Sequence, residues 1–224
     1  METKQIALVG YGAMGQRIAA AIEAREGWEL CGAIDPLHTP QCHASLEELP
    51  QVPHLIIDFS HPANLAMVCD YVQRHKVPCV IATTGYTPAQ EAMCQELAAY
   101  APVVRTQNTS LGINVMQQIL KAITPVLADA FDIEIIEKHH NKKIDAPSGT
   151  AKMLAQTIES CGTFHEVRGR DGICPRQKGD IGIHAIRGGT IAGEHTVLFA
   201  GDDELIEIKH TALSKQVFVA GAMK

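Results

Sequence analysis

The feature that most restricts the fold of this chain is a glycine-rich turn near its N-terminus. Residues 5–9, Gln-Ile-Ala-Leu-Val, form a short apolar run, and Gly10-Tyr11-Gly12-Ala13-Met14-Gly15 follows directly. Residues 17–22 are good helix formers, so this G-x-G-x-x-G motif stands between a predicted buried strand and a predicted helix. There, the first glycine permits a tight turn, the second lets a pyrophosphate approach the backbone, and the third lets helix and strand pack closely. The pattern predicts a dinucleotide-binding turn.

The residue that follows the second predicted strand bears on which dinucleotide binds. Residues 29–34 form this strand, and Asp35 ends it. An acidic side chain at this place can hydrogen-bond the adenine-ribose hydroxyls of NAD, whereas a nearby Arg would pair with the 2′-phosphate of NADP. Residues 36–45 contain no Arg. We therefore expect NADH to be preferred, with weaker use of NADPH.

Strands and helices continue to alternate through the first half of the chain. Further strands are predicted at residues 54–59, 78–81 and 102–105, with helices at residues 62–75 and 88–100. This alternation with short connections predicts an α/β fold, a Rossmann-type doubly wound parallel sheet that binds ligands at the carboxyl ends of its strands. The segments Ala82-Thr83-Thr84-Gly85 and Thr106-Gln107-Asn108-Thr109-Ser110 follow two of those strands.

The second half of the chain has a different order of elements. Helices are predicted at residues 113–129 and 151–160, and strands at residues 132–137, 181–187, 194–200 and 204–210. Strands grouped after a helix indicate a second, α+β domain with a largely open sheet. We expect a dinucleotide-binding domain of residues 1–110, to which residues 211–224 return, and a substrate-binding and tetramerisation domain of residues 111–210.

The strongest concentration of polar chemistry is a fifteen-residue run from Glu137 to Ala151. Five of the six residues 138–143 are Lys or His, although the formal net charge of the chain is −6. The Pro-Ser-Gly-Thr-Ala sequence follows, in which Ser148 can cap a helix and Gly149 lets the backbone approach a ligand. Free N–H groups at a helix start bind carboxylate or phosphate. The run therefore predicts a site for an anionic small molecule.

The same run carries a family resemblance. Its H-H-x-x-K-x-D-A-P-S-G-T-A pattern resembles the signature of the dihydrodipicolinate reductases (4-hydroxy-tetrahydrodipicolinate reductases) of bacterial and plant lysine biosynthesis. Residues 82–85 are similar to the G-T-T-G segment of that family, residues 108–112 to its N-x-S-x-G segment, and residues 187–196 to its R-x-G-x-x-x-G-E-H-T stretch. Ala82 and Thr109 depart from the residues common in the family. The resemblance covers nearly the whole chain.

The resemblance implies an activity and a set of site residues. The reaction is NAD(P)H-dependent reduction of 4-hydroxy-tetrahydrodipicolinate, or its dehydrated form, to tetrahydrodipicolinate. Because imidazole carries a transferable proton near neutral pH, we expect His139 to be the general acid, with Lys143 as a second proton donor and electrostatic stabiliser. His140, Gly149 and Thr150 are expected to bind the carboxylates, without any metal. Asp145 either orients Lys143 or a His, or shapes the turn.

The residues expected to line the cofactor lie in the glycine turn, after the second strand and in the two later strand-end segments. They are Gly10, Tyr11, Gly12, Ala13, Met14, Gly15, Asp35, Ala82, Thr83, Thr84, Thr106, Gln107, Asn108 and Thr109. Lys138 and Lys142 are expected to be solvated charges. His184, His195 and His210 are expected to have structural roles. The resemblance also implies a homotetramer formed through the sheet of the second domain. The sequence departs from the family at Lys224, after which the family usually adds more helix and a closing segment.

The composition excludes several classes of protein. The sequence pI near 6.0 argues against nucleic-acid binding. Seven scattered Cys with no C-x-x-C pair favour reduced thiols over disulfides or a zinc site. The N-terminus enters a strand without a signal segment, and no apolar run approaches the length of a membrane span. We therefore expect a soluble cytoplasmic protein.

Other interpretations of the glycine turn remain. A semialdehyde dehydrogenase needs a thiol nucleophile at the third strand end, but there is no Cys between Cys94 and Cys161. An aspartate or homoserine dehydrogenase fits the basic run less well. A non-catalytic NADH-sensing module would keep the glycine turn and Asp35 without requiring the His and Lys cluster.

Overall fold

A computed structural model describes residues 3–35 and 41–224, and it divides the chain into two compact units. The first unit contains the chain up to Thr109 together with Phe218–Lys224, and the second contains Ser110–Val217. The chain returns to the first unit seven residues later than the sequence predicts, because the last strand of the second unit continues to Ala212 and a short connection follows it.

The first unit contains a five-stranded parallel sheet with the strand order β2-β1-β3-β4-β5. The strands are β1 (Lys4–Val9), β2 (Trp28–Ile34), β3 (Leu55–Asp58), β4 (Cys79–Ile81) and β5 (Val103–Arg105). The helices are α1 (Ala13–Glu23), α2 (Leu65–His75) and α3 (Pro88–Glu96), and a short 3-10 turn at Pro62–Asn64 precedes α2. The order of the strands reverses between β1 and β3, which is where open α/β sheets bind their ligands.

Both faces of this sheet are buried. Ile6 and Leu8 of β1 pack with the α1 side chains Ile18 and Ile22 on one face. The alternate β1 residues, Ala7 and Val9, pack on the other face in a second cluster, which includes the α2 residues Val68 and Val72 and also Ile81 and Leu97. Because successive side chains of a strand point to opposite faces, β1 can be apolar throughout only if both faces are covered. The predicted doubly wound sheet is confirmed.

The second unit contains a mixed five-stranded sheet with the order β10-β9-β6-β8-β7. Its strands are β6 (Asp132–His139), β7 (His165–Arg168), β8 (Asp180–Arg187), β9 (Gly193–Ala200) and β10 (Leu205–Ala212). The helices α4 (Leu111–Leu127) and α5 (Gly149–Glu159) precede and follow β6. The last helix, α6 (Gln216–Ala222), begins at the end of this unit, and its residues from Phe218 onward belong to the first unit. The central strand β6 pairs parallel with β8 and antiparallel with β9. The predicted second α+β domain is confirmed.

One face of this second sheet packs against α4 and α5, and this packing positions the functional residues. Ile133 and Ile135 of β6 lie in a core cluster with Leu120 of α4 and Leu154 of α5. Glu137 and His139 continue the same buried row of alternate residues. The strand therefore carries two ionisable side chains inward at the end of its apolar row.

Across the described residues, no helix combines the length and the apolar character that a bilayer crossing requires.

Candidate functional site

The glycine turn is held by the ends of three strands. Gly10 has φ +93°, in the region that favours glycine, and its N–H donates to Ile34 O at 2.8 Å. A Cβ at Gly10 would lie 2.5 Å from Phe59 O, so the turn packs directly on the chain that follows β3. The Tyr11 N–H donates to Asp35 Oδ2 at 3.0 Å. The structure thus brings the glycine turn and the predicted ribose-binding acid together.

The three motif glycines have different surroundings. A Cβ at Gly15 would overlap the Gly10 carbonyl oxygen, so this glycine is required for the close approach of α1 to β1. A Cβ at Gly12, by contrast, would meet no atom within 4 Å. Gly12 is also the N-cap residue of α1, whose first N–H groups have no intrahelical acceptor. This open, donor-rich surface fits the pyrophosphate of a dinucleotide. Residues 36–40, which bear on the NADH prediction, lie outside the described residues.

The ends of β3 and β4 are joined by a buried carboxyl group. Asp58 is fully buried, and its Oδ1 accepts hydrogen bonds from Thr83 Oγ1 at 2.9 Å and from the Ser60 N–H at 3.1 Å. Tyr86 OH donates to Oδ2 at 3.2 Å. Burial raises the pKa of the Asp58 carboxyl, while these hydrogen bonds oppose the rise. No sequence pattern indicated a role for Asp58, which anchors the predicted cofactor segment 82–85 through its hydrogen bond with Thr83.

The predicted cofactor residues that follow β4 and β5 therefore differ in whether their side chains are buried or exposed. The Thr83 side chain is buried and bonded to Asp58, whereas Thr84 is exposed. After β5, Thr106 Oγ1 and the Asn108 backbone form a closed turn, with Asn108 N donating to Thr106 Oγ1 at 3.1 Å, and Gln107 is exposed. Thr109 Oγ1 donates to Phe218 O at 2.7 Å and so anchors the returning C-terminal segment.

The second unit gathers a different set of groups around Glu137. This carboxylate is fully buried, and Arg187 binds it through both terminal nitrogens, each at 2.7 Å. The His139 Nδ1–H donates to Glu137 Oε2 at 2.6 Å, and the Ser148 N–H donates to Oε1 at 2.9 Å. Burial alone would raise the pKa of Glu137, but these hydrogen bonds outweigh it and hold the pKa below its ordinary value. Glu137 is therefore a carboxylate.

His139 is neutral near pH 7 when no ligand is bound. Burial lowers the pKa of its imidazole, and the positive charges of Lys143 and Arg187 lower it further, although Glu137 opposes both effects. Since Nδ1 donates to Glu137, the neutral ring carries its proton there and leaves Nε2 as an acceptor. A Cβ at Gly193 would lie 3.2 Å from Nε2, so the glycine leaves room beside this atom.

The N-terminus of α5 lies beside this cluster. Ser148 caps the helix, because its Oγ accepts a hydrogen bond from the Ala151 N–H at 3.1 Å. Gly149 is exposed and a Cβ there would meet nothing within 4 Å, so a ligand can reach the backbone. Thr150 stands next to it in the first turn. The structure thus gives the predicted anion-binding residues an open helix start.

The remaining residues of the basic run separate into two groups. Lys143 Nζ lies 2.7 Å from Asp145 Oδ1, so Asp145 orients Lys143. Lys138 lies on the opposite face of β6 from His139, where its Nζ contacts Glu194 Oε1 at 2.6 Å. Lys138 was predicted to be a solvated charge; its side chain is 37% exposed, and strand alternation also places it beside Glu194 of the neighbouring strand. His140 is partly buried and Lys142 is exposed.

Two further side chains complete the cluster. His195 Nε2 lies 2.9 Å from Ser148 Oγ, and its ring meets that of His139 edge-on with centroids 5.1 Å apart. Burial lowers the pKa of His195 to about 3. Arg187 also donates to Asp145 O at 2.7 Å, which ties the loop after β6 to the end of β8. The sequence shows Arg187 and His195 within the R-x-G-x-x-x-G-E-H-T stretch, but no spacing links them to Glu137.

Comparison with known proteins identifies the relatives of this chain. Residues 4–109 match the family model described as dihydrodipicolinate reductase, N-terminus, and residues 112–224 match the one described as dihydrodipicolinate reductase, C-terminus. A 4-hydroxy-tetrahydrodipicolinate reductase of Exiguobacterium sibiricum is 45% identical over 98% of this chain and 88% of its own length. The enzyme of that name from Clostridium novyi is 43% identical over 95% of this chain and 87% of its own length.

A solved structure agrees with the sequence relatives. The dipicolinate-bound dihydrodipicolinate reductase from Paenisporosarcina sp. TG-14 superposes with a TM-score of 0.76 at 25% identity, covering 99% of this chain and 92% of its own. Since two family models span nearly the whole sequence and the relatives match over most of their length, this chain belongs to the dihydrodipicolinate reductase family.

Proposed function

We propose that this chain catalyses the NAD(P)H-dependent reduction of 4-hydroxy-tetrahydrodipicolinate to tetrahydrodipicolinate, a step of lysine and diaminopimelate biosynthesis. Membership of the reductase family supports the activity, and the curated relatives cited above do not favour a sensing module or an aspartate or homoserine dehydrogenase. The observation that carries the chemistry is the buried Glu137–His139 pair beside the open start of α5. Together these groups fit a substrate that has two carboxylates and must accept a proton.

The first unit is proposed to hold the cofactor. Gly10, Gly12 and Gly15 with the start of α1 hold the pyrophosphate, and Asp35 binds the adenine ribose. The segments 82–84 and 106–109 line the nicotinamide and its ribose. A reduced nicotinamide supplies a hydride when it is bound.

NADH is the preferred cofactor in this proposal, and NADPH is used more weakly. The Asp35 carboxylate lies at the end of β2, held by the Tyr11 N–H at 3.0 Å, where it repels a 2′-phosphate. Comparison of kcat/KM for the two cofactors tests the preference. A higher kcat/KM with NADPH would contradict it.

The second unit is proposed to bind the dianion and deliver the proton. His140 and the Gly149 and Thr150 backbone hold the carboxylates, with the Thr150 hydroxyl. Hydride addition to a conjugated imine builds negative charge at the far end of the conjugated system. His139 protonates that end through Nε2, and the Lys143 ammonium stabilises the developing charge. The free imidazole is neutral, so His139 acquires its proton as the dianion binds, because two nearby carboxylates raise its pKa.

The chain is also proposed to form a homotetramer through the face of the second sheet that α4 and α5 do not cover. This face carries Ile136, Leu198 and Leu205 beside the ion pairs of Glu194 with Lys138 and Lys209. Light scattering is expected to give four times the 24.2 kDa chain mass. Leu198→Lys should lower that mass, whereas Val126→Lys on the exposed side of α4 should not. A monomer in the unsubstituted protein would contradict the assembly.

A cytoplasmic location is proposed on the basis of the cysteines. The seven cysteines are thiols rather than disulfides in the structure, as a reducing compartment would keep them.

Turnover provides the direct test of the activity. The product of the preceding enzyme of lysine synthesis is supplied in a coupled assay, and loss of NADH or NADPH absorbance is followed. We expect oxidation of the cofactor only when that product is present. Equal oxidation rates with and without it would refute the activity. A planar pyridine dicarboxylate such as dipicolinate should inhibit competitively, which tests the anion site independently.

A further inference from the structure

The buried Glu137 contacts both His139, the expected proton donor, and Ser148, which caps the helix with the expected carboxylate-binding turn. Its Oε2 accepts from the His139 Nδ1–H at 2.6 Å, and its Oε1 accepts from the Ser148 N–H at 2.9 Å. Ser148 is the residue that caps α5 and begins its anion-binding turn. One carboxylate therefore fixes both the expected proton donor and the expected carboxylate-binding backbone.

We infer that Glu137 is a positioning residue that holds the His139 ring, with Nε2 as its reactive atom, and the start of α5 in a single geometry. This inference rests on the proposed function in taking His139 as the proton donor. Glu137 is fully buried and does not itself reach substrate. It acts through the hydrogen bonds that it accepts.

Arg187 is what keeps this buried group ionised and in place. Its two terminal nitrogens bind both Glu137 oxygens at 2.7 Å, and one of them also donates to Asp145 O. A planar guanidinium that grips both oxygens leaves the carboxylate no freedom to rotate. Each oxygen then has a fixed second partner, His139 for Oε2 and Ser148 for Oε1.

The Glu137 contact also decides which nitrogen of His139 is protonated. A carboxylate only accepts, so the neutral ring must carry its hydrogen on Nδ1. Nε2 is then able to receive a proton and pass it to substrate, and it lies beside Gly193, where a Cβ would stand only 3.2 Å from it. Without Glu137 either nitrogen could be protonated, and the ring could turn.

The charged and titratable groups facing His139 come from every neighbouring element. They are Glu137 on β6, Lys143 and Asp145 in the loop after it, Arg187 on β8, His195 on β9 and, behind His195, His210 on β10. Among them, Glu137 raises the pKa of His139, whereas Lys143 and Arg187 lower it. Removing the Glu137 charge should therefore lower the proton affinity of the ring.

The same strand supplies a matched control. Glu134 also bonds a histidine, with its Oε2 2.6 Å from His184 Nε2, and it also pairs with Arg176. It points to the opposite face of β6, away from His139 and α5. Glu134→Gln thus removes the same type of charge from the same strand without changing the contacts of Glu137 with His139 and Ser148.

The test combines nitrogen-15 NMR of the imidazoles with steady-state kinetics, and His139→Gln identifies the His139 signals. In the unsubstituted protein, neutral His139 is expected to be protonated at Nδ1. Glu137→Gln should lower the proton affinity of His139 about tenfold, shift the basic limb of the kcat profile to lower pH, and reduce kcat tenfold or more, because the ring loses its counter-ion. KM for the substrate should rise, while NADH affinity should not change. Glu134→Gln should leave the His139 titration unaltered.

Either of two results would overturn the inference. One is neutral His139 protonated at Nε2 in the unsubstituted protein, which needs no variant to fold. The other is a folded Glu137→Gln protein whose His139 titration and kcat profile match those of the unsubstituted protein. Absence of any turnover would count against the proposed function alone, because the imidazole titration still reports on the Glu137 contact.

Discussion

Two substitutions in the glycine turn are expected to affect the stability of the protein and its affinity for the cofactor differently. Gly12 and Gly15 are both changed to Ala, one at a time. The added Cβ at Gly15 would overlap the Gly10 carbonyl oxygen and lie 2.9 Å from its carbon. Gly10 cannot retreat freely, since its N–H is bonded to Ile34 O and its Cα faces the Phe59 backbone. The turn or the helix must therefore shift.

The expected magnitudes follow from these surroundings. Overpacking of this kind costs roughly 1–3 kcal/mol. For a chain of this size that lowers Tm by about 2–4 °C for each kcal/mol. Gly12 has φ −68°, which Ala adopts readily, and its Cβ would meet nothing, so Gly12→Ala should change stability by less than about 0.5 kcal/mol. Its Cβ would instead occupy the proposed pyrophosphate position and weaken NADH binding about tenfold or more, at least ~1.4 kcal/mol.

Two measurements on each variant test the predicted changes in stability and NADH affinity. Thermal unfolding without cofactor gives the stability, and a fluorescence titration with NADH gives the affinity. Gly15→Ala should lower Tm and also weaken NADH binding, because the turn moves. Gly12→Ala should weaken binding at unchanged Tm. If Gly12→Ala bound NADH as tightly as the unsubstituted protein does, the assignment of the pyrophosphate to this turn would be refuted.

The remaining predictions concern protonation. Dipicolinate binding near pH 7 should be accompanied by uptake of as much as one proton, because the pKa of His139 is lowered in the free protein and the bound dianion raises that pKa. Calorimetry in two buffers of different ionisation enthalpy measures the proton uptake. Binding without proton uptake would contradict this prediction. The folded His195 imidazole has a pKa of about 3, so the unfolded chain binds the extra proton as the pH falls below about 6.5 and stability falls with it. At about pH 5 this loss is about 2 kcal/mol, and denaturant titrations of His195→Gln should show a pH dependence smaller by that amount. Lys143→Ala should lower kcat roughly 10²-fold or more with NADH affinity retained; loss of both together would instead indicate a folding defect.

The sequence was most informative where contacts are local. The glycine turn, its strand and its helix are adjacent in the chain, so spacing alone predicts them together. The strand β7 was missed because His165–Arg168 carries one apolar residue and pairs only at the sheet edge with β8. Helix α6 was also missed, since its seven residues give too short a pattern for a helical period to be read.

The candidate site could be predicted only in part from the sequence, because some of its contacts join residues that are far apart in the chain. His139 and Lys143 stand in one basic run, and their residue types indicate proton transfer. Glu137 adjoins that run, but its partner Arg187 is fifty residues away and becomes a neighbour only when β6 pairs with β8. His195 was expected to be structural; it lies beside both Ser148 and His139 because β9 pairs with β6. The pairing of strands that are distant in the sequence is a tertiary property, which no local pattern specifies.

The most direct test of the account is the effect of His139→Gln on a single turnover with enzyme in excess of substrate. The account predicts that hydride transfer slows roughly 10²-fold or more while the NADH dissociation constant and the Tm stay as they are in the unsubstituted protein. Hydride transfer at an unchanged rate in a folded His139→Gln protein would contradict the claim that this imidazole delivers the proton.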